Sequence, residues 1–347
     1  MSCYHPIFAI VNPYVKSVNG KDKLLFLKGD QIEKVLKGKK YNEKLSYLGQ
    51  EVLQLPCGKC IGCKLDYSRM WATRCYCELK YTKNNWFLTL TYDDEHLPMV
   101  DFVDKINKHT GEVLTRVTPQ LVKRDLQNFN KRLRQQLVRD SEKEPERYNL
   151  ENFPYRFYAC GEYGTQKLRP HFHVIAFNLP LFDLKSCGSS GKGHLLWRSD
   201  WLDRVWGNGI VKIGIVSFES VAYTARYCLS KVDRDDNWYR RHGLCKEFTL
   251  MSRRPAIGRK YFDDNFIKIY DNDCVYTNSN GNVFTQSVPK YFDRVLENLD
   301  EDLFEGIKKG RKDKFRPAPD TDKMFRDYLA TQELIKKSKI KCLTRSI

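Results

Sequence analysis

The sequence predicts an α+β fold: an antiparallel sheet with helices packed on it, preceded by a Cys-rich N-terminal extension and followed by a basic helical C-terminal extension. Three observations predict it. Runs with strand character fall at 86–92, 156–162, 171–178 and 210–216, interleaved with helical patterns at 118–138 and 218–232. Seven residues, 163–169, join the second run to the third, and strands joined so briefly are most simply antiparallel neighbours. Cysteines cluster before this core, and Lys and Arg crowd the chain after it. The expected divisions are 1–84, an extension with a cysteine knuckle at 57–77; 85–235, the core; 236–304, a basic part suited to DNA contact; and 305–347, a linker, helix and basic tail.

Charge narrows the partners. The 347 residues carry 60 Lys and Arg against 43 Asp and Glu, a formal charge of +17, which favours a polyanion. Aromatics at 13% add stacking surfaces that suit single strands. No apolar run reaches the ~18 residues of a membrane span, so no membrane partner is expected. Residues 1–10 lack the pattern of a signal peptide, which points to a cytoplasmic protein. In that compartment twelve cysteines serve as metal ligands or buried thiols rather than as disulfides.

In chain order, short strand-like pieces at 7–11 and 24–27 give the extension β character. The knuckle follows: Pro56-Cys57-Gly58-Lys59-Cys60-Ile61-Gly62-Cys63, then a helix over 65–79 carrying Cys75 and Cys77. Cys57, Cys60 and Cys63, with Cys75 from the helix as a fourth thiolate, would complete a tetrahedral structural Zn2+ site. A redox or iron–sulfur role, or unliganded thiols, are the other readings, because the spacing is not two Cys-x-x-Cys pairs at a standard gap. Residues 86–92 alternate apolar side chains with Thr and make a strand, ended by Asp93-Asp94-Glu95-His96-Leu97-Pro98, either a solvated turn or the rim of a site.

Thr118-Pro119 carries the signals of a helix start, an N-cap before a first-turn proline. Val122, Leu126, Phe129, Leu133 and Leu137 form the apolar stripe of that helix. Lys123, Arg124, Lys131, Arg132 and Arg134 occupy its other faces, as a solvated surface or as contacts to backbone phosphates. Arg169 and Arg226 are further candidates for such contacts.

The central stretch is Arg169-Pro170-His171-Phe172-His173-Val174-Ile175-Ala176-Phe177-Asn178. On a strand His171 and His173 share a face and aim at one point, which suits a metal ion; two core or surface histidines are the bland reading. Antiparallel pairing brings Glu162, at the end of the preceding strand, near His171, giving two imidazoles and a carboxylate with open coordination positions. Glu162 could instead be a turn residue paired with Lys167 or Arg169.

Residues 180–215 look irregular until a strand at 210–216, and Gly188-Ser189-Ser190-Gly191-Lys192-Gly193 reads as a flexible loop. It lacks the spacing and hydroxyl of a phosphate loop, and no helicase is expected in this chain. In the helix at 218–232, begun by Ser217, Tyr223, Tyr227 and Lys231 recur every four residues on one face. Two tyrosines alone would be a packing stripe; a lysine in line suggests hydroxyls presented to an anionic group. After 235 the chain reads as basic and irregular. Residues 251–258 look like a loop, 305–319 like a linker, and 320–337 like an amphipathic helix before a basic tail.

A tyrosine hydroxyl, with pKa ~10, is a weak nucleophile at neutral pH, and a divalent metal on the phosphodiester lowers the need for a fully formed phenolate. A phosphotyrosine ester stores the bond energy, so a strand can be rejoined without ATP. A second tyrosine ~6 Å along the helix allows a second attack while the first is occupied.

These motifs carry a resemblance. His171-Phe172-His173 resembles the histidine–hydrophobe–histidine motif of HUH endonucleases, and Tyr223-x3-Tyr227-x3-Lys231 resembles the two-tyrosine motif of rolling-circle replication initiators. Residues 87–92 resemble the first motif of that group. The knuckle, Arg69-x-Trp71-Ala72-x-Arg74-Cys75, and Thr89-Leu90-Thr91-Tyr92-Asp93-Asp94-Glu95-His96-Leu97-Pro98 are similar to replication initiators of gokushovirus-type Microviridae, small single-stranded DNA phages. The resemblance implies an HUH nuclease core of RNA-recognition-like topology. It implies Mg2+ or Mn2+ at His171 and His173, with Glu162 at the variable third-ligand position. It implies origin-specific nicking of supercoiled double-stranded phage DNA, a 5′ link to Tyr223 or Tyr227, and closure of the displaced single strand. Host helicase and polymerase would be partners in the host bacterial cytoplasm. A relaxase or transposase of the same superfamily is an alternative, weakened by the second tyrosine and the missing third histidine. A non-catalytic zinc-knuckle nucleic-acid-binding protein is another, which would leave the histidine and tyrosine motifs as coincidence.

Overall fold

The computed structural model describes residues 3–16, 22–41, 43–106, 108–148, 154–164, 166–189, 193–216, 221, 236–279, 281–314 and 324–345. The chain divides into two compact units, Met1–Tyr67 with Leu299–Ile347, and Ser68–Asn298. The helix expected at 218–232, with Tyr223, Arg226, Tyr227 and Lys231, lies outside the described residues apart from Val221.

In the first unit, β1 (Ile7–Lys16) pairs antiparallel with β2 (Asp22–Phe26) and with a later strand, here β5 (Leu53–Leu55). Between them lie α1 (Asp30–Leu36) and the two-residue strands β3 (Ser46–Tyr47) and β4 (Gln50–Glu51). Phe8 and Ile10 of β1 and Val35 and Leu36 of α1 share a core with Phe325 and Leu329 of the C-terminal helix. The strand-like pieces at 7–11 and 24–27 fall on β1 and β2, the second extending one residue past its strand. Helix α2 (Ile61–Leu79) starts four residues before its apolar pattern, just after Cys60.

The second unit is built on seven strands: β6 (Trp86–Tyr92), β9 (Arg156–Tyr163), β10 (Pro170–Phe177), β11 (Lys185–Ser189), β12 (Leu195–Arg198), β13 (Gly209–Ile215) and β14 (Phe248–Met251). The order is β11-β12-β13-β6-β10-β9-β14, with every neighbouring pair antiparallel. The short 163–169 connector joins neighbours, as argued from its length, and the four expected core strands lie within a residue of their expected bounds.

Strand alternation gives the sheet two apolar faces. On one, Leu88, Leu90, Phe172, Val174, Val211 and Ile213 pack against Leu126, Phe129, Leu133 and Leu137 of α3 (Lys123–Lys143) and Trp206 of α4 (Asp200–Trp206). Each such fully buried side chain stabilises by about 1.5–3 kcal/mol, which is what holds α3 to the sheet. On the other, Tyr158, Ile175 and Phe177 pack against Trp71, Ala72 and Cys75 of α2, together with Val221 and Ile257. The implied plate has helices on one face; here both faces are covered, because β9 and β10 present large apolar side chains on both sides.

Several expectations need correction. Thr118 and Pro119 do not open α3. They end β8 (Val113–Pro119), which forms a hairpin with β7 (Met99–Ile106). The Thr118 hydroxyl donates to the carbonyls of Val100 and Gly243, so it is not the cap, and Val122 is the N-cap residue. Residues 180–215 are not irregular: β11, β12 and α4 lie there, with the Ser199 hydroxyl accepting the Leu202 N–H at 3.0 Å as N-cap. The stretch after 235 holds α5 (Asp236–His242), β14, α6 (Arg259–Asn272), the hairpin of β15 (Cys274–Ser279) and β16 (Asn282–Ser287), and α7 (Lys290–Leu299). Much of the supposed linker is α8 (Glu301–Asp313), capped by Asp300, and the last helix is α9 (Phe325–Arg345). Among the described residues no helix is long and apolar enough to cross a membrane.

Candidate metal centre and its surroundings

Strand register builds the centre. His171 lies opposite Glu162 on β9 and Thr91 on β6, and His173 lies opposite Cys160 and Thr89. All point to the α2 side of the sheet, since Phe172 and Val174 between and beyond the histidines enter the α3 core. The row continues onto β13, where Ile210 pairs with Thr91 and Lys212 with Thr89, and both Ile210 and Lys212 are exposed.

The two imidazoles converge on one oxygen. Glu162 Oε1 is 2.6 Å from His171 Nε2 and 3.0 Å from His173 Nε2. Each ring is oriented through its other nitrogen. His171 Nδ1 donates to the Arg169 carbonyl at 3.2 Å, and His173 Nδ1 meets the Thr89 hydroxyl at 3.1 Å. Phe87 stacks on the His173 ring with centroids 5.2 Å apart. Such partners fix the Nε2 atoms as the available donors. With His171 Nδ1 already carrying its proton, the 2.6 Å contact to Glu162 requires either a second proton or a cation at Nε2.

Glu162 is 2% exposed, and its Oε2 has no hydrogen-bond partner among the described residues. Burial opposes its charge, but hydrogen bonds from His171 and His173 outweigh this and hold the carboxyl below its ordinary value. An ionised, buried carboxylate with a free oxygen is what a bound cation would satisfy. The ligand atoms of Glu162, His171 and His173 lie within 4.8 Å of one another, a donor set that suits a divalent ion with positions left for other ligands. The turn-pair reading of Glu162 gives way to these contacts: Arg169 instead donates to Asp94 at 2.6 Å and to the Tyr92 carbonyl at 2.7 Å.

The other expected site residues are distributed as follows. Lys123, Arg124 and Lys131 lie on α3, across the sheet from the histidines, and Lys123 stands over the Phe248 ring. Arg132 caps the end of α4 through the carbonyls of Val205 and Trp206 at 2.9 and 2.6 Å. Cys57, Cys60 and Cys63 do form a cluster, but its fourth member is Cys3 and not Cys75. Cys75 lies twelve residues beyond Cys63 on α2, about 18 Å at 1.5 Å per residue. It is packed between α2 and the sheet, where burial pushes its thiol well up. Thr89, which orients His173, and Lys212 on the same face were missed as site residues. Period-two alternation on β6 and β13 was the available signal.

The family of replication-associated protein ORF2 matches residues 85–232, which include β6, the Glu162–His171–His173 group and β13. The replication-associated protein ORF2 of Spiroplasma virus 4 is 34% identical over 316 residues, 89% of this chain and 89% of that protein. The replication-associated protein VP4 of Bdellovibrio phage phiMH2K is 34% identical over 212 residues, covering 60% of this chain and 57% of its own. The replication-associated protein ORF4 of Chlamydia phage 1 is 25% identical over 253 residues, 71% of this chain and 54% of that protein. No solved structure matches the chain significantly. With one relative matching along nearly all of both chains, this protein belongs to the replication-associated proteins of Microviridae-type phages.

Proposed function

We propose that the protein initiates and terminates rolling-circle replication of a phage genome by nicking and rejoining one DNA strand at the origin, using a tyrosine nucleophile. The observation that carries this reading is the convergence of His171 Nε2 and His173 Nε2 on buried Glu162, whose second oxygen lacks a partner among the described residues. In this reading the sheet is an HUH endonuclease core with the histidines on a central strand, and Mg2+ or Mn2+ is held by Glu162, His171 and His173. When bound, the ion supplies Lewis-acid polarisation of the scissile phosphate.

The remaining work falls to side chains of this chain. Thr89 and the Arg169 carbonyl hold the imidazoles in place, and Phe87 limits rotation of His173. The hydroxyl oxygen of Tyr223 or Tyr227 attacks phosphorus. The new O–P bond forms as the P–O3′ bond breaks, the phenolic proton passes to solvent, and the 3′ oxygen leaves as a hydroxyl. Lys231 favours the phenolate. The free 3′ hydroxyl primes host polymerase behind a host helicase in the bacterial cytoplasm, and the second tyrosine cuts after one round. Val221, two residues before Tyr223, is buried with Ile175 and Phe177 on the histidine side of the sheet, which supports delivery of the tyrosines to that face.

An origin-containing single-stranded oligonucleotide with Mn2+ tests this. Wild type should give a 5′-linked covalent adduct, His171→Ala none, and Tyr223→Phe or Tyr227→Phe reduced or single-cycle activity. An unimpaired adduct from the Tyr223→Phe/Tyr227→Phe double variant would sink the nucleophile assignment.

A further inference from the structure

We propose that Cys3, Cys57, Cys60 and Cys63 bind one structural zinc ion that clamps the segment before β1 to the N-terminus of α2. This site is separate from the histidine centre, and all four ligands belong to the first unit.

The sulfur geometry fits a single tetrahedral ion. Cys57 Sγ and Cys63 Sγ are 3.9 Å apart, Cys60 Sγ and Cys3 Sγ are 3.8 Å apart, and all four lie within 4.8 Å of one another. Four thiolates at a Zn–S distance of about 2.3 Å stand about 3.8 Å from each other. Disulfides would bring the sulfurs to about 2.05 Å. An iron–sulfur cluster needs thiolates spread around several irons, and these sulfurs are too close for that. Four protein ligands leave no open position, so the role is structural rather than catalytic.

The backbone is arranged to carry thiolate charge. The N–H of Cys57 donates to Cys3 Sγ, those of Lys59 and Cys60 donate to Cys57 Sγ, and those of Tyr4 and Cys63 donate to Cys60 Sγ, all at 3.3–3.5 Å. Cys60 directly precedes α2, and its sulfur accepts from the third residue of the helix as an N-cap would. The positive end of the helix favours the anion there. Gly58, at φ +73, provides the left-handed turn between Cys57 and Cys60.

Topology supplies the fourth ligand. The β1–β5 ladder pairs Ile7 with Leu55, Phe8 with Gln54 and Ala9 with Leu53. Followed past Ile7 and Leu55, the two antiparallel chains emerge side by side, four residues before β1 at Cys3 and two residues after β5 at Cys57. The ladder thus delivers Cys3 to the knuckle from the far end of the sequence.

Metal analysis of the full-length protein decides the proposal. Wild type is expected to carry about one zinc per chain and, after exchange with Co2+, to show the visible absorption of a tetrahedral thiolate site. Cys3→Ser should lose most of the metal, while Cys75→Ala retains it. Since Cys3→Ser could fail to fold, Cys3→His provides the second arm. It keeps four donors, so it should bind one Co2+ with its band moved to shorter wavelength by the nitrogen ligand. Chelation should speed tryptic cleavage after Lys59 and Lys64 relative to cleavage within 86–216. Full zinc with an unchanged Co2+ spectrum in Cys3→Ser or Cys3→His would overturn the ligand set, as would loss of metal in Cys75→Ala. Iron in place of zinc, or less than about half an equivalent of zinc in wild type, would overturn the zinc assignment.

Discussion

Glu162→Gln removes one charge from the histidine centre while preserving the shape of the side chain. The wild-type carboxylate is 2% exposed, accepts from both imidazoles through Oε1, and leaves Oε2 unpartnered among the described residues. Glutamine keeps one oxygen acceptor but puts a neutral NH2 group where the second carboxylate oxygen stood. The carboxylate's attraction for a divalent ion is worth at least a charge-assisted hydrogen bond, about 1.5–3 kcal/mol. At 1.4 kcal/mol per tenfold, Mn2+ binding should weaken by about 10–150-fold. Titration of Mn2+ followed by electron paramagnetic resonance measures this without DNA. The covalent-adduct assay, run across Mn2+ concentration, should show activity partly restored at high metal, because the histidines and tyrosines are intact. Asp93→Asn is the control, since Asp93 stands at the end of β6 and pairs with His96 instead. Wild-type Mn2+ affinity in Glu162→Gln, with weakened affinity in Asp93→Asn, would refute the choice of third donor.

The acid behaviour of the metal-free protein should change in the same variant. A carboxyl held below its unfolded value of about 4.3 stabilises the fold above that pH and loses this contribution as pH falls through the folded value, so Tm should fall less steeply with acid in Glu162→Gln than in wild type. Glu78→Ala should cost the second unit about 3–5 kcal/mol in urea unfolding, because the buried charge of Arg156, 2.5 Å from Glu78, loses its counter-charge; Glu78→Leu/Arg156→Leu should recover most of the loss. Lys212→Ala should weaken single-strand binding and lower its salt slope by about one, while Lys131→Ala, on α3, should leave the adduct yield unchanged.

The core strands were legible because their signal is local. Leu88, Leu90 and Tyr92 alternate with Thr89 and Thr91, and Phe172, Val174 and Ala176 alternate with His171, His173 and Ile175. The short connector made Glu162 a neighbour of His171 without any knowledge of the rest. The elements missed were those where two local signals compete or where only long-range pairing decides. Thr118-Pro119 has a helix start's chemistry, yet β7 takes it as a strand end, and β7 itself was hidden by Asp101, Asp104 and Lys105. After 235 the basic residues masked ordinary amphipathic periodicity, such as Phe292, Val295 and Leu296 on α7. Cys3 was out of reach for a different reason: nothing near it in sequence says that β1 pairs with β5.

The two-sided sheet constrains the proposed reaction more tightly than the motifs do. Because His171 and His173 stand an even number of positions from Ile175, all of them face α2, and the α3 face is filled by apolar side chains. A nucleophile approaching from the α3 side would be separated from the histidines by the sheet itself. Val221 is the described residue nearest the tyrosines in sequence on their N-terminal side, and it is fully buried against Tyr158, Ile175 and Phe177, on the histidine side. The scissile strand must therefore enter over that same side, where the row from Glu162 through His171 and Thr91 ends at exposed Ile210, with Lys212 in the adjacent row. The charges that grip it belong with Lys212. The basic face of α3, the most conspicuous charge pattern in the sequence, lies across the sheet from the phosphate being cut.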